Sequence, residues 1–354
     1  MHDGPLDTAL SALREHATLE MVHEDGGAGD FLSGWQCVNL WAEVIDGAIS
    51  SARQGLPGNR YYYLEDDEHS LELINRLHLE WDNLRPPALV LSMGSTPILF
   101  AFCAHLRATG IEEVFYVPPL YFSLHAALRL LGLRSRPISG KHGFEVDFEP
   151  VLPDRRCVLI LCDPVWYAGV SLSAAFIERL RDWQAATGSL IFVDGSFQYM
   201  RWDGSTFERT SMLDPGATVR LICPTKALAA HGYRFAYAIV PAAMRMGLAH
   251  ENTRMHGSSS MDSIAMARVA PRLLRERTIT SGLMRGAAEA HKRHRAEGNI
   301  SAPWSPEAGY FSFEKLRPGK REEMLLMGQE YFEQTAFPDF VRINLLSPSL
   351  ASLD

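Results

Sequence analysis

Six short apolar runs punctuate the middle of the chain: ALVLS (88–92), EVFYVP (113–118), CVLILC (157–162), SLIFVD (189–194), VRLICP (219–224) and FAYAIVP (235–241). They are of strand length and apolar nearly throughout, the pattern of strands buried on both faces. Helical patterns lie between several of them. In LSAAFIERLRDWQAATG, Phe176, Ile177, Leu180 and Trp183 share one face, and Gly188 is placed to cap the C-terminus. LYFSLHAALRLLG likewise runs to Gly132. Strands alternating with helices predict an α/β architecture with a largely parallel sheet covered on both faces.

The two ends of the chain read differently. Residues 1–60 hold one helical pattern (LWAEVIDGAISSARQ), a Gly-rich turn (EDGGAGD, 24–30) and little strand. Beyond about Met244, the stretch APRLLRERTITSGLMRGAAEAHKRHRAEG reads as one or two long helices, followed by strand-like GYFSFEKL and FVRINLL. At 354 residues, two lobes are expected. The expected division is a large α/β domain over 61–245 and a smaller α+β domain built from 1–60 and 246–354.

Composition narrows the function. A formal net charge of −8 argues against a general nucleic-acid binder. No stretch reaches roughly 18 uninterrupted apolar residues, and the N-terminus lacks a signal pattern, so a soluble, cytoplasmic protein away from membranes is expected. Five scattered cysteines without a CxxC pair or Cys/His ligand spacing predict free thiols and no metal site. EDGGAGD follows no strand and lacks dinucleotide-loop spacing. HKRHR (291–295) reads as a solvated helix face, and His231 as a packing or capping residue.

Open parallel sheets bind ligands beyond the carboxyl ends of their strands. Those ends carry Gly94-Ser95-Thr96 before a helix, then Tyr121, then Asp163 to Gly169, then Asp194, then Lys226. Lys226 is one of only five lysines and sits between two apolar strands, where an unpaired charge is costly. The set suits an aromatic aldehyde phosphate. Gly94, Ser95 and Thr96 would offer helix amides to the phosphate, and Arg234 would neutralise it. Tyr121 would stack on the ring and Asp194 would keep a pyridine nitrogen protonated. Lys226 would form the Schiff base, its amine pKa lowered by burial and neighbouring cations.

In order along the chain, these segments resemble the fold-type I pyridoxal-phosphate enzymes of the class I/II aminotransferase group, similar to histidinol-phosphate aminotransferase. TKALAAHGYR resembles its Ser-Lys-x8-Arg signature, VDGSF stands at its Asp-Glu-Ala-Tyr motif, SMGST resembles its phosphate turn and VPPLY its stacking-aromatic segment. The resemblance implies pyridoxal 5'-phosphate as cofactor, with Cys223 and Thr225 beside Lys226 among its contacts, and a homodimer with shared sites. GNRYYYL then implies that Tyr61 reaches the phosphate in the neighbouring subunit, and FVRINL that Arg342 binds the substrate α-carboxylate.

Two departures stand out. Trp166 occupies the place of the family's asparagine on the ring's phenolic oxygen, and Phe197 the place of its tyrosine. Tyr167 is the nearest alternative donor. Trp35, Trp166, Tyr167 and Tyr310 are candidates for an aromatic substrate pocket. The expected activity is transfer of an amino group from an amino acid to a 2-oxo acid. Because of the two replacements, a lyase or cyclase acting on an amino-acid side chain is the alternative.

Overall fold

A computed structural model describes residues 32, 34–319, 337 and 339–353. The Gly-rich turn at 24–30, and with it half of the N-terminal segment, lies outside the described residues. Helix α1 spans Ala42–Arg53 and α2 Glu68–Trp81, the latter capped by the Asp67 carboxylate on the Ser70 amide. The central sheet then follows: β1 (Ala88–Ser92), α3 (Ser95–Ala108), β2 (Glu113–Tyr116), α4 (Phe122–Leu130), β3 (Arg134–Pro137), β4 (Val158–Cys162), α5 (Ala174–Thr187), β5 (Leu190–Gly195), β6 (Thr218–Ile222), the short turn α6 (Pro224–Ala227) and β7 (Ala236–Val240). Its seven strands lie in the order β1-β7-β6-β5-β4-β2-β3.

β3, β2, β4, β5 and β6 run parallel to one another, while β7 is antiparallel to both β6 and β1. β1 therefore points the same way as β6, and the carboxyl ends of β1, β2, β4, β5 and β6 share one edge. All five residues of β4, β6 and β7 are buried, as their continuous apolar runs require. Ser173 accepts a hydrogen bond from the Phe176 amide to start α5, and Gly188, at φ +64°, ends it.

One strand carried no apolar signal. β3 reads RSRP and is largely exposed, pairing with β2 as the sheet's outer edge. Its arginines lie against Glu113 of β2, Arg136 at 2.8 Å. Charge at an edge strand also discourages pairing with another chain.

After β7 come α7 (Arg245–His256), α8 (Met261–Glu276) and α9 (Thr278–Ala296). The long basic stretch is thus two helices, broken at Arg277, whose φ is +61°. Its guanidinium donates to the Tyr199 carbonyl at 2.9 Å and lies over Trp81, contacts that offset the left-handed backbone. HKRHR is not wholly solvated, which corrects the expectation above. Lys292 and Arg293 are exposed, but His291 and His294 turn inward, His291 bonding Glu314 at 2.8 Å. The five residues advance more than one helical turn, so they cannot share a face.

A second sheet closes the chain: β8 (Ile300–Ser301), β9 (Phe311–Leu316) and β10 (Phe340–Asn344), antiparallel, with Arg342 opposite Phe313. Two ties bring it to the site edge of the large sheet. The carbonyl of Gly169, in the loop after β4, accepts from the amides of Glu307 and Ala308. A Cβ at Gly169 would come within 2.6 Å of the Ala308 carbonyl oxygen, so only glycine permits this approach. On the other side, Asn344 donates to the carbonyls of Gly34 and Gln36, fixing the segment that carries Trp35. None of the described helices is long and apolar enough to cross a membrane.

Candidate active site

Two adjoining cavities open at the shared strand edge. The smaller, of about 270 Å³, is lined by Trp35, Ser95, Tyr121, Trp166, Asp194, Ser196, Phe197 and Lys226. The larger cleft, of about 680 Å³, adds Thr96, His231 and Arg234 and again includes Lys226. The strand-end residues singled out from sequence thus converge here, each delivered by a different element.

Gly94 ends the turn after β1 and caps α3 with φ +96°, leaving the first helix amides without a side-chain acceptor. A Cβ at Gly94 would sit 2.6 Å from an Arg234 Nη, so the guanidinium packs directly on this turn. Free helix amides facing an exposed arginine form an anion site. Tyr121 stands at the start of α4 with its ring edge-on to Trp166, centroids 5.3 Å apart.

Asp194, next to last in β5, is buried, which raises its carboxyl pKa; two donors from Ser196, the amide at 3.1 Å and the hydroxyl at 2.6 Å, act in the opposite sense. Lys226 projects from α6 with its Nζ 3.4 Å from the centre of the Trp35 ring. Burial brings its amine pKa down to about 7, and the charges of Arg234 and Arg342 push the same way.

Arg342 lies on β10 with no exposed surface, its guanidinium carbon 4.5 Å from the Phe311 ring, 4.8 Å from Trp35 and 5.1 Å from Trp166. Burial brings its pKa down to about 9. Trp35 and Trp166 stack 5.7 Å apart, nearly parallel at 11°. Trp35 therefore bridges Lys226 and Arg342.

Other expected residues stand further back. Cys223 is buried behind Ser196, its Sγ 3.5 Å from the serine hydroxyl. Thr225 turns its hydroxyl to the Phe235 carbonyl at 3.3 Å. Tyr167 has no exposed surface and packs against Phe144, Trp166 and Phe313. Tyr310 is also buried, with its hydroxyl 3.3 Å from His231 Nε2. Tyr61 is 80% exposed and lines neither cavity.

Ser196 is a site residue beyond those expected from sequence, and His231 does more than the packing or capping expected of it. His231 does pack, edge-on to Trp35, but it also lines the larger cleft. For Ser196 a signal existed: a hydroxyl two residues after a strand-end aspartate is placed to bond back to it.

The residues present fit an aromatic aldehyde phosphate. An arginine and open helix amides lie at one end, a buried carboxylate at the other, and a depressed lysine amine between them. Gly94 gives the phosphate end its close approach.

Comparison with known proteins agrees. The family described as aminotransferase class I and II matches residues 33–349. The fold is similar to aminotransferase AspB from Helicobacter pylori 26695 (TM-score 0.75, 14% identity, 99% of this chain and 96% of that one). It is similar also to the aspartate aminotransferase from Rhizobium meliloti (TM-score 0.74, 18%, 96% and 92%). A third similar structure is a probable N-succinyldiaminopimelate aminotransferase from Thermus thermophilus (TM-score 0.73, 17%, 96% and 97%). No curated protein sequence matches the chain. The family match favours amino transfer over side-chain elimination or cyclisation. With its sheet, its strand-edge cavity and this match over most of its length, the chain belongs to the class I and II aminotransferases, fold-type I enzymes that work through pyridoxal 5'-phosphate.

Proposed function

We propose that Lys226 carries the cofactor of this aminotransferase and moves the proton of the reaction. The observation that carries the reading is a lysine amine with a pKa near 7 in the same cavity as a strand-end carboxylate and a helix start. Bound there, pyridoxal phosphate supplies an aldehyde for that amine and a ring that draws off the electrons of the substrate Cα–H bond. Lys226, once displaced by the substrate amine, would take the Cα proton as a general base and give it back, as a general acid, at the carbon that had been the cofactor's aldehyde, on the far side of the nitrogen. A pKa near neutrality serves both directions.

Asp194 holds the ring nitrogen in its protonated state. Ser95, Thr96 and Arg234 bind the phosphate, Gly94 admits it, and Cys223 and Thr225, beside Lys226 in sequence, complete the cofactor contacts. Tyr121 and Trp166 confine the ring. Arg342 binds the substrate α-carboxylate, and Trp35, reaching from Lys226 to Arg342, touches the substrate on its way between them. Tyr167 backs Trp166 from the core. The substrates on this reading are an amino acid and a 2-oxo acid.

Tyr61 acts in the site of a second copy, and the protein is a homodimer located in the cytoplasm. The neighbouring exposed rings of Tyr61 and Tyr63 support an aromatic contact there. The working division is a cofactor domain over 61–245 and a smaller domain from 1–60 and 246–354.

The test is the visible absorbance of the purified protein with pyridoxal phosphate, followed by one turnover with excess amino acid. Wild type should show the bound-cofactor band and release one 2-oxo acid per site. Lys226→Ala should lose the lysine-dependent band and all turnover. An unchanged band and activity in Lys226→Ala would sink the reading.

A further inference from the structure

The Asp194 carboxylate is held by a residue that the turn alone does not require. Asp194 Oδ1 accepts the Ser196 amide at 3.1 Å, and that bond suffices to shape the turn after β5. The Ser196 hydroxyl adds a second, shorter bond to the same oxygen at 2.6 Å. Its own oxygen lies 3.5 Å from Cys223 Sγ, so the thiol can donate to it and orient the hydroxyl hydrogen toward the carboxylate. Ser196 also lines the cavity with Asp194 and Lys226.

We propose that Ser196 is a positioning residue for the reaction: it fixes one oxygen of Asp194 through its hydroxyl and turns the other toward the cofactor ring nitrogen. This rests on the assignment of Asp194 to the ring nitrogen given above. Two donors on one oxygen fix the plane of the carboxylate and favour its ionised form. An ionised, oriented carboxylate is what a protonated ring nitrogen needs. The groups facing Asp194 are Lys226 and Cys223 from the β6–α6 segment and Cys162 of β4. The thiols are held neutral by burial, so among the protein groups around Asp194 the serine is the main support for the ionised carboxylate, beside the ring nitrogen it would pair with.

The sign follows. Burial raises the Asp194 pKa and Ser196 lowers it, so removing the hydroxyl lets the pKa rise. The ionised form, and with it the ring-nitrogen pair, is then lost at a higher pH as the solution is acidified.

The experiment compares wild type, Ser196→Ala and Ser196→Thr, each freed of cofactor and titrated with pyridoxal phosphate. Affinity, the pH dependence of the visible band and the melting temperature without cofactor are measured. Ser196→Ala should bind about tenfold more weakly, the worth of one hydrogen bond to a charged group. Its acid limb should move to higher pH, a shift that lost fold stability alone does not produce, and the cofactor-free melting temperature should fall by no more than the loss of one buried hydrogen bond. Ser196→Thr, which keeps the hydroxyl, should stay within about twofold of wild-type affinity. Wild-type affinity and acid limb in Ser196→Ala would overturn the proposal, as would a Ser196→Thr variant as weak as Ser196→Ala. A wild-type chain that binds no pyridoxal phosphate overturns the site assignment itself, a result visible before any variant is made.

Discussion

A lysine amine attacks an aldehyde only when neutral, and Lys226 is surrounded so that neutrality comes early. Burial is the largest cause; Arg234 and Arg342 add to it, while the thiols Cys223 and Cys37 pull the other way. With the pKa near 7, the neutral amine becomes the majority form above pH 7 instead of above the lysine norm of about 10.4. The rate of cofactor attachment to the cofactor-free protein should therefore rise about tenfold per unit up to pH 7 and then level. Stopped-flow absorbance would show the bend; a rate still climbing at pH 9 would contradict it. Replacing Arg342 by Gln removes one repelling cation, so the bend should move to higher pH.

At this scale the sequence gives up residues that chemistry makes conspicuous. Lys226 and Asp194 stand at the ends of apolar runs where charge needs a reason, and Arg234 follows at a fixed spacing. Ser196 does not stand out, and Trp35 is readable only as one of four aromatics for a substrate pocket; its place over Lys226 depends on Asn344, some 300 positions away in sequence.

Among the elements, the turn from β1 into α3 does the most for the site. Its glycine meets two constraints, a left-handed φ and an arginine against its Cα. Gly94→Ala would cost about 1 kcal/mol through the backbone. The clash is with the tip of a flexible side chain, so Arg234 would yield before the fold does. The expected result is a small drop in melting temperature and a loss of about tenfold in pyridoxal-phosphate affinity, read by titration. A large stability loss with unchanged affinity would point to a purely structural turn.

The loop after β4 hangs on Asp163, buried and accepting the Leu172 amide at 2.8 Å. Burial raises its pKa to about 7, far above that of an unfolded aspartate. A folded pKa above the unfolded one means the native state holds the proton longer, so stability falls as pH rises from about 4 to 7 and is flat beyond. Asp163→Asn keeps the acceptor without the charge. Its melting temperature should exceed that of wild type at pH 8 and match it near pH 4, with an upper limit on the order of 4 kcal/mol.

The strands of the large sheet were readable because burial on both faces leaves continuous apolar runs. β3 was not, since an exposed edge strand of arginines has no such run. The break at Arg277 was equally silent: its cause is a set of contacts to Trp81, Tyr199 and Gly204, none near it in sequence.

For the whole molecule, the site is assembled from distant thirds of the chain. Asn39 donates to the Leu228 and Ala229 carbonyls just after Lys226, and Asn344 binds the backbone on both sides of Trp35. Sequence order showed which strand ends would meet, whereas this lacing rests on single amide side chains with no pattern to read. One expected contributor remains outside. Tyr61 is 80% exposed and lines neither cavity of its own chain, and the family resemblance assigns it to a neighbouring copy. That assignment has a consequence no monomer can imitate. In a mixture of Tyr61→Ala and Lys226→Ala chains, each mixed dimer holds one site with both defects and one with neither. Half of randomly paired dimers are mixed and half their sites are intact, so activity should recover to roughly a quarter of wild type. The measurement is the rate before and after the two variants are unfolded together and refolded. If Tyr61 served its own subunit, every mixed dimer would carry one defect per site, and mixing would restore nothing.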